Sequence, residues 1–132
     1  MNFYDFKKYV YWLGEYVPLD MQEEAINALY HCDDKYIKYI IDTDNVATWS
    51  NGLKVVSKIG YPRNKSAIKS LLYLFQDVNW PTTSTAVDVI KEIYTNSPQT
   101  VIDAMNEISD IAKNDEDWLF GLDWLRQKLT GM

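Results

Sequence analysis

The sequence has one cysteine, Cys32, and one histidine, His31. A lone cysteine excludes an intrachain disulfide framework, and neither residue completes a zinc site by itself. The two are adjacent, so on a helix their side chains point about 100° apart and do not form a nucleophile–base pair. No Glu-x-x-His or His-x-x-x-His occurs, which removes the nitrogen ligand pair of a helical metal site. Arginine is scarce too, at Arg63 and Arg126 only. A surface that tracks phosphates needs clustered Lys and Arg. Here the lysines are scattered and the net charge is −6, from 19 acidic and 13 basic residues, so generic nucleic-acid binding is disfavoured. Five glycines and four prolines are too few for a linker-rich or disordered chain. No apolar run reaches the ~20 residues of a membrane span. The first eight residues, Met1 to Lys8, lack the charged-then-apolar order of a signal peptide. These absences lead us to expect a cytoplasmic protein without a membrane segment.

What is present is ordinary for one globular domain: 132 residues, 47% hydrophobic and 24% charged. Aromatics are rich, with five Trp, ten Tyr and four Phe. Apolar residues recur at helical spacing nearly throughout. Phe6, Tyr9, Val10, Leu13 and Val17 form a first stripe. Met21, Ala25, Leu29 and Cys32 form a second, behind an Asp20-x-x-Glu23 variant of the capping box. Ile37, Ile40 and Ile41 mark a short third helix. Leu53, Val56 and Ile59 mark a fourth that stops at Gly60-Tyr61-Pro62. Ile68, Leu71, Leu72 and Phe75 give a fifth. Pro81 suits the first turn of a sixth carrying Ala86, Ile90, Ile93 and Tyr94. Ser97-Pro98 opens a seventh with Val101, Met105, Ile108 and Ala112. Trp118, Leu122, Leu125 and Leu129 form the last. The expectation is an all-α fold of about eight helices with short connections.

A repeat lies within this series. Ile37 to Trp49 and Ile68 to Trp80 are each 12 residues apart, offset by 31. A small residue follows each Trp by three, in Trp49-Ser-Asn-Gly52, Trp80-Pro-Thr-Thr83 and Trp118-Leu-Phe-Gly121; the last step, from Trp80 to Trp118, is 38. Two-helix units of this length are the signature of a short α-α superhelix, in which hairpins stack because none can bury its own face, the alternative being an irregular helical bundle with coincidental Trp positions. The small residue would let neighbouring helices approach closely.

The stretch Leu71-Leu72-Tyr73-Leu74-Phe75-Gln76-Asp77-Val78-Asn79-Trp80-Pro81 resembles the Leu-x-x-Trp-Leu-Gln-Asp-x-Asn-Trp-Pro segment of a bacterial domain family of unknown function. That family is similar to HEAT-like helical repeats. Asp115-Glu116-Asp117-Trp118 is similar to its second landmark, an acidic turn before a Trp-bearing helix. The resemblance covers about residues 61–125, and the chain departs from the pattern at Phe75 and Thr82. It implies a HEAT-like fold and no particular activity. We therefore expect a single helical-repeat domain over 1–132, with N-terminal hairpins in 1–60 and the family-like region in 61–132.

Neither catalytic, metal nor cofactor-binding residues are expected. Asp42-Thr-Asp44-Asn45 fails as a calcium loop, because its sixth position is Ala47 and its twelfth Leu53. Asp103, Glu107 and Asp110 fall at i, i+4 and i+7, an acidic ridge on one helical face; Asp88 and Glu92 make a similar pair. Such carboxylates do acid–base work only in a pocket that perturbs them, so a solvated face or a surface for a basic partner is the better reading. Trp80 and Trp118 read mainly as core, and secondarily as interface anchors. Asp77 and Asn79 read as turn residues at the same corner. Together Asp77, Asn79, Trp80, Asp103, Glu107, Asp110 and Trp118 are the candidate partner contacts. The function expected is a non-catalytic protein-binding module, most concretely an immunity or antitoxin-type protein against a basic toxin. Two alternatives remain: a carboxylate enzyme in a helical groove, or a nucleic-acid-binding repeat using Lys54, Lys58, Arg63, Lys65 and Lys69. Tyr4 and Tyr11 lie off the first apolar stripe, so we expect them on the outer face of a terminal hairpin, to be covered by a partner or by a homodimer formed through the aromatic N-terminus.

Overall fold

The computed structural model describes residues 1–131. Among them no strand occurs: the chain is all-α, in about eight continuous helical segments. It divides into two compact units, Met1–Ser70 and Leu71–Met132. Residues 61–70, the start of the family-like stretch, pack within the first unit, the 3₁₀ helix Arg63–Ala67 lying on another 3₁₀ helix, Asp34–Tyr39. Arg63 binds there to the Asp34 carboxylate at 2.8 Å and to the Cys32 carbonyl at 3.2 Å.

In the first unit, helix α1 (Phe3–Trp12) is opened by Asn2, whose side chain accepts from the Asp5 N–H at 2.8 Å. Phe6 and Val10 form its buried side. Helix α2 (Leu19–Tyr30) buries Ala25 and Leu29 against it. The expected Asp20/Glu23 capping box does not form. Pro18 occupies the N-cap, so Asp20 already sits inside the first turn and accepts from the Met21 N–H. The short third helix is a 3₁₀ turn rather than an α-helix, and it still buries Ile37. A second 3₁₀ turn, Val46–Thr48, leads into α3 (Trp49–Ile59). Gly60 ends α3 with φ +76°, a conformation that costs glycine little. One buried polar side chain ties the three helices: Asn51 Nδ2 on α3 donates to the Leu13 carbonyl and to Gln22 Oε1, both at 2.8 Å.

The short helix α4 (Ile68–Leu72) continues as a 3₁₀ turn, Tyr73–Gln76, that buries Leu74 and Phe75. In the second unit, helix α5 (Thr83–Asn96) buries Ala86, Val89, Ile90 and Ile93. Ser97 is the N-cap of α6 (Pro98–Ile111) and Pro98 its first residue, where a missing N–H costs no intrahelical bond. The α6 residues Val101, Ala104, Met105 and Ile108 face inward. Asp115 caps α7 (Glu116–Thr130), its carboxylate accepting from the Trp118 N–H at 3.0 Å. Helix α7 packs on α5, on α6 and on the Tyr73–Gln76 turn.

Two of the three Trp-plus-small-residue motifs share a structure. Trp49 and Trp118 are buried in the first turn of their helices, and each indole donates to a backbone carbonyl: Trp49 Nε1 to Asp42 at 2.6 Å, Trp118 Nε1 to Leu72 at 3.0 Å. The glycine one turn later then meets the segment that supplies the carbonyl. A Cβ at Gly52 would lie 3.1 Å from Ile41 Cδ1, and one at Gly121 would overlap the Phe75 carbonyl oxygen. Trp80 breaks the pattern. It is half-buried in the turn before α5 and does not open a helix, because α5 begins only at Thr83, past Pro81.

The glycines give a prediction of sign. Ala is favoured over Gly in a helix interior by about 1 kcal/mol, yet Gly121→Ala must displace backbone and should destabilise by about 1–3 kcal/mol. Gly52→Ala meets the end of a flexible side chain and should be near neutral. Urea unfolding of both variants checks the contrast.

Candidate functional site

Charge separates the two units. Residues 1–70 hold nine acidic and nine basic side chains, whereas residues 71–132 hold ten acidic and four basic. The whole net charge of −6 thus belongs to the second unit. All ten of its carboxylates are exposed: Asp77, Asp88, Glu92, Asp103, Glu107, Asp110, Asp115, Glu116, Asp117 and Asp123. The α6 ridge stands as its spacing implies, with Asp103, Glu107 and Asp110 outward while Val101, Ala104, Met105 and Ile108 are inward. Gln99 Nε2 donates to Asp103 Oδ1 at 2.7 Å within that ridge.

The other candidate contacts split. Trp118 is only 6% exposed, and its indole is spent on the Leu72 carbonyl and against Tyr73. It is core, not a contact residue. Asp77 and Asn79 form a tight turn in which the Asn79 N–H donates to Asp77 Oδ1 at 2.9 Å and the Trp80 N–H to the Asp77 carbonyl at 3.3 Å. That turn holds Trp80 at the edge of a cleft of about 420 Å³. Its walls are Trp80 and Pro81, the α5 face Thr83, Val87 and Asp88, and the α7 residues Trp124 and Lys128. Thr83 is buried, and its Oγ1 has no hydrogen-bond partner among the described residues. A buried hydroxyl left so costs about 1–3 kcal/mol. Trp124 was absent from the sequence expectation; its i, i+6 distance from Trp118 puts it on another side of α7, a signal readable only once the helix boundary is known.

The first unit carries a separate groove of about 560 Å³. One side is the α1 face Phe3, Phe6, Val10 and Tyr11; the other runs from Tyr39 through Asp44. Phe3, Phe6, Tyr36 and Tyr39 stack edge and face within 5.0–5.9 Å. Tyr4 is 81% exposed, and Phe3, Tyr11, Tyr16, Leu19 and Tyr39 are exposed as well. The cations proposed for nucleic acid lie on this unit but do not all point to solvent chemistry. Arg63 is bound to Asp34, and Lys58 Nζ lies 4.6 Å from the Tyr30 ring centre.

Among the described residues no three His, Cys, Asp or Glu side chains converge as metal ligands, and no helix is long and apolar enough to cross a membrane. Cys32 is buried, and burial pushes its thiol above the ordinary value. Arg63 opposes that shift, while Asp33 and Asp34 add to it. Since the thiolate is the reactive form, the raised value means less thiolate at any given pH. Labelling of Cys32 by a disulfide reagent should be slow at neutral pH and still accelerating above pH ~8.5, where a free thiol is half ionised. In denaturant it should be complete at once. No family model matches the chain, and no curated protein or solved structure is significantly similar to it.

Proposed function

We propose that this protein is a non-catalytic binding module that engages a basic protein through its second unit. The observation that carries this reading is the confinement of the net −6 to residues 71–132, with every carboxylate there exposed. A field of one sign on a compact surface speeds encounter with an oppositely charged partner and selects against acidic ones. Carboxylates built for acid–base catalysis would be withdrawn from water to shift their pKa; these are not withdrawn. The concrete form of the reading is an immunity or antitoxin-type protein that covers a basic toxin, acting in the cytoplasm. The helical-repeat architecture suggested by the Gln76-Asp77-x-Asn79-Trp80-Pro81 motif is part of the same proposal.

The test is a column of the full chain exposed at low salt to lysate of its source. A stoichiometric basic protein that elutes with salt is expected. The variant Asp103→Asn/Glu107→Gln/Asp110→Asn should lose about threefold to a hundredfold in affinity for it, since each exposed charge contributes about 0.2–1 kcal/mol. Retention that is indifferent to both salt and the substitutions would overturn the proposal.

A second reading, self-association through the first unit, is favoured by the exposed aromatics around the α1 groove, because Tyr is enriched in interface hot spots. It expects a dimer by sedimentation at micromolar concentration that reverts to monomer in Tyr4→Ser/Tyr11→Ser. A monomer of the parent chain at that concentration excludes it.

A further inference from the structure

We infer that the tryptophan-walled cleft of the second unit seats an arginine side chain of the basic partner. The inference rests on the binding reading above and names the chemistry at one point of that surface. Four observations converge on the cleft. First, its walls include two half-buried indoles, Trp80 from the turn and Trp124 from α7. A guanidinium is planar, weakly hydrated and stacks on such faces better than an ammonium does. Second, Asp88 stands at the rim as an exposed carboxylate on the same α5 face as Thr83, Ser84 and Val87, and a guanidinium can pair with it in a two-bond fork. Third, Thr83 lines the cleft, is 3% exposed, and has a hydroxyl oxygen without a hydrogen-bond partner among the described residues. A native buried hydroxyl without a partner is uncommon. The five N–H donors of arginine outnumber what Asp88 can accept, so one remains for that oxygen once the side chain enters and the hydroxyl turns toward it.

The fourth observation is that the cleft already attracts a cation. Lys128 Nζ lies 5.2 Å from the centre of the Trp124 ring. Lys128 is exposed, on the last turns of α7, and among the described residues its ammonium lies against a ring face. It acts as an internal stand-in that a better-matched guanidinium displaces into solvent. The surrounding charge favours that exchange, since the unit has ten carboxylates against four cations.

The experiment uses the full chain with its tryptophan indoles ¹⁵N-labelled, titrated at low salt with a short oligo-arginine peptide and with oligo-lysine of equal length. The indole resonances of Trp80 and Trp124 should move with oligo-arginine, while that of buried Trp118 stays. The arginine peptide should bind about threefold to thirtyfold more tightly than the lysine peptide. Asp88→Asn should reduce the preference to the part that indole stacking supplies, and Lys128→Met should enlarge it by removing the resident cation; both positions are exposed, so neither variant endangers folding. Equal affinities with Trp80 and Trp124 unmoved would overturn the cleft while leaving charge-driven binding in place. Absence of binding by either peptide would overturn both.

Discussion

A tryptophan hydrogen bond recurs at the centre of each unit. The indole N–H of Trp49 or Trp118 reaches a main-chain carbonyl outside its own helix. That bond both buries a large apolar ring and satisfies its one polar atom, which an apolar core otherwise leaves expensive. It also fixes how closely the carbonyl-bearing segment approaches the helix. The glycine one turn later is the consequence. At Gly121 the Phe75 backbone occupies the space that any side chain would need. Phe75 then supports Trp124 from beneath, with ring centres 6.4 Å apart. A core contact thus sets the position of a wall of the surface cleft.

The two units differ in charge and in the chemistry of their surface clefts. The first is electrically balanced and carries the exposed aromatic groove beside α1. The second concentrates negative charge over α5, α6 and α7 and holds a smaller cleft with tryptophan walls. Charge acts at a distance of about one Debye length, roughly 8–10 Å in physiological salt. Indole stacking acts only in contact. In the binding reading proposed above, the second unit combines long-range attraction with a short-range element that distinguishes one cation from another. Charge alone would draw in any basic protein, so discrimination must come from the contact element.

Parts of this were legible in the residues. The stripes Val101, Met105, Ile108 and Trp118, Leu122, Leu125, Leu129 are buried as their spacing implies, because a helix with one apolar face has one stable way to turn. Ser97-Pro98 marks the start of α6 for a local reason, proline's fixed φ and missing N–H. The Asp20-x-x-Glu23 signal misled for an equally local reason: with Pro18 as the N-cap, the helix starts two residues earlier than an Asp20 cap would have placed it. Trp80 misled because the same tripeptide spacing that places Trp49 and Trp118 inside helices is here preceded by an Asp77 turn and followed by Pro81, which postpones the helix.

The sequence by itself determined the helical class, the inward faces of the helices and the outward ridge of Asp103, Glu107 and Asp110. All of these follow from periodicity, which is a property of neighbours three and four residues apart. It also determined which tryptophans had glycine beneath them. Only the tertiary structure decided that Trp118 is core while Trp80 borders a cleft, that Trp124 joins it from a helix more than forty residues away, and that the division of the chain falls after Ser70. Those outcomes depend on which backbone segments meet across long stretches of chain. Spacing along a helix carries no information about that meeting until the packing that produces it exists.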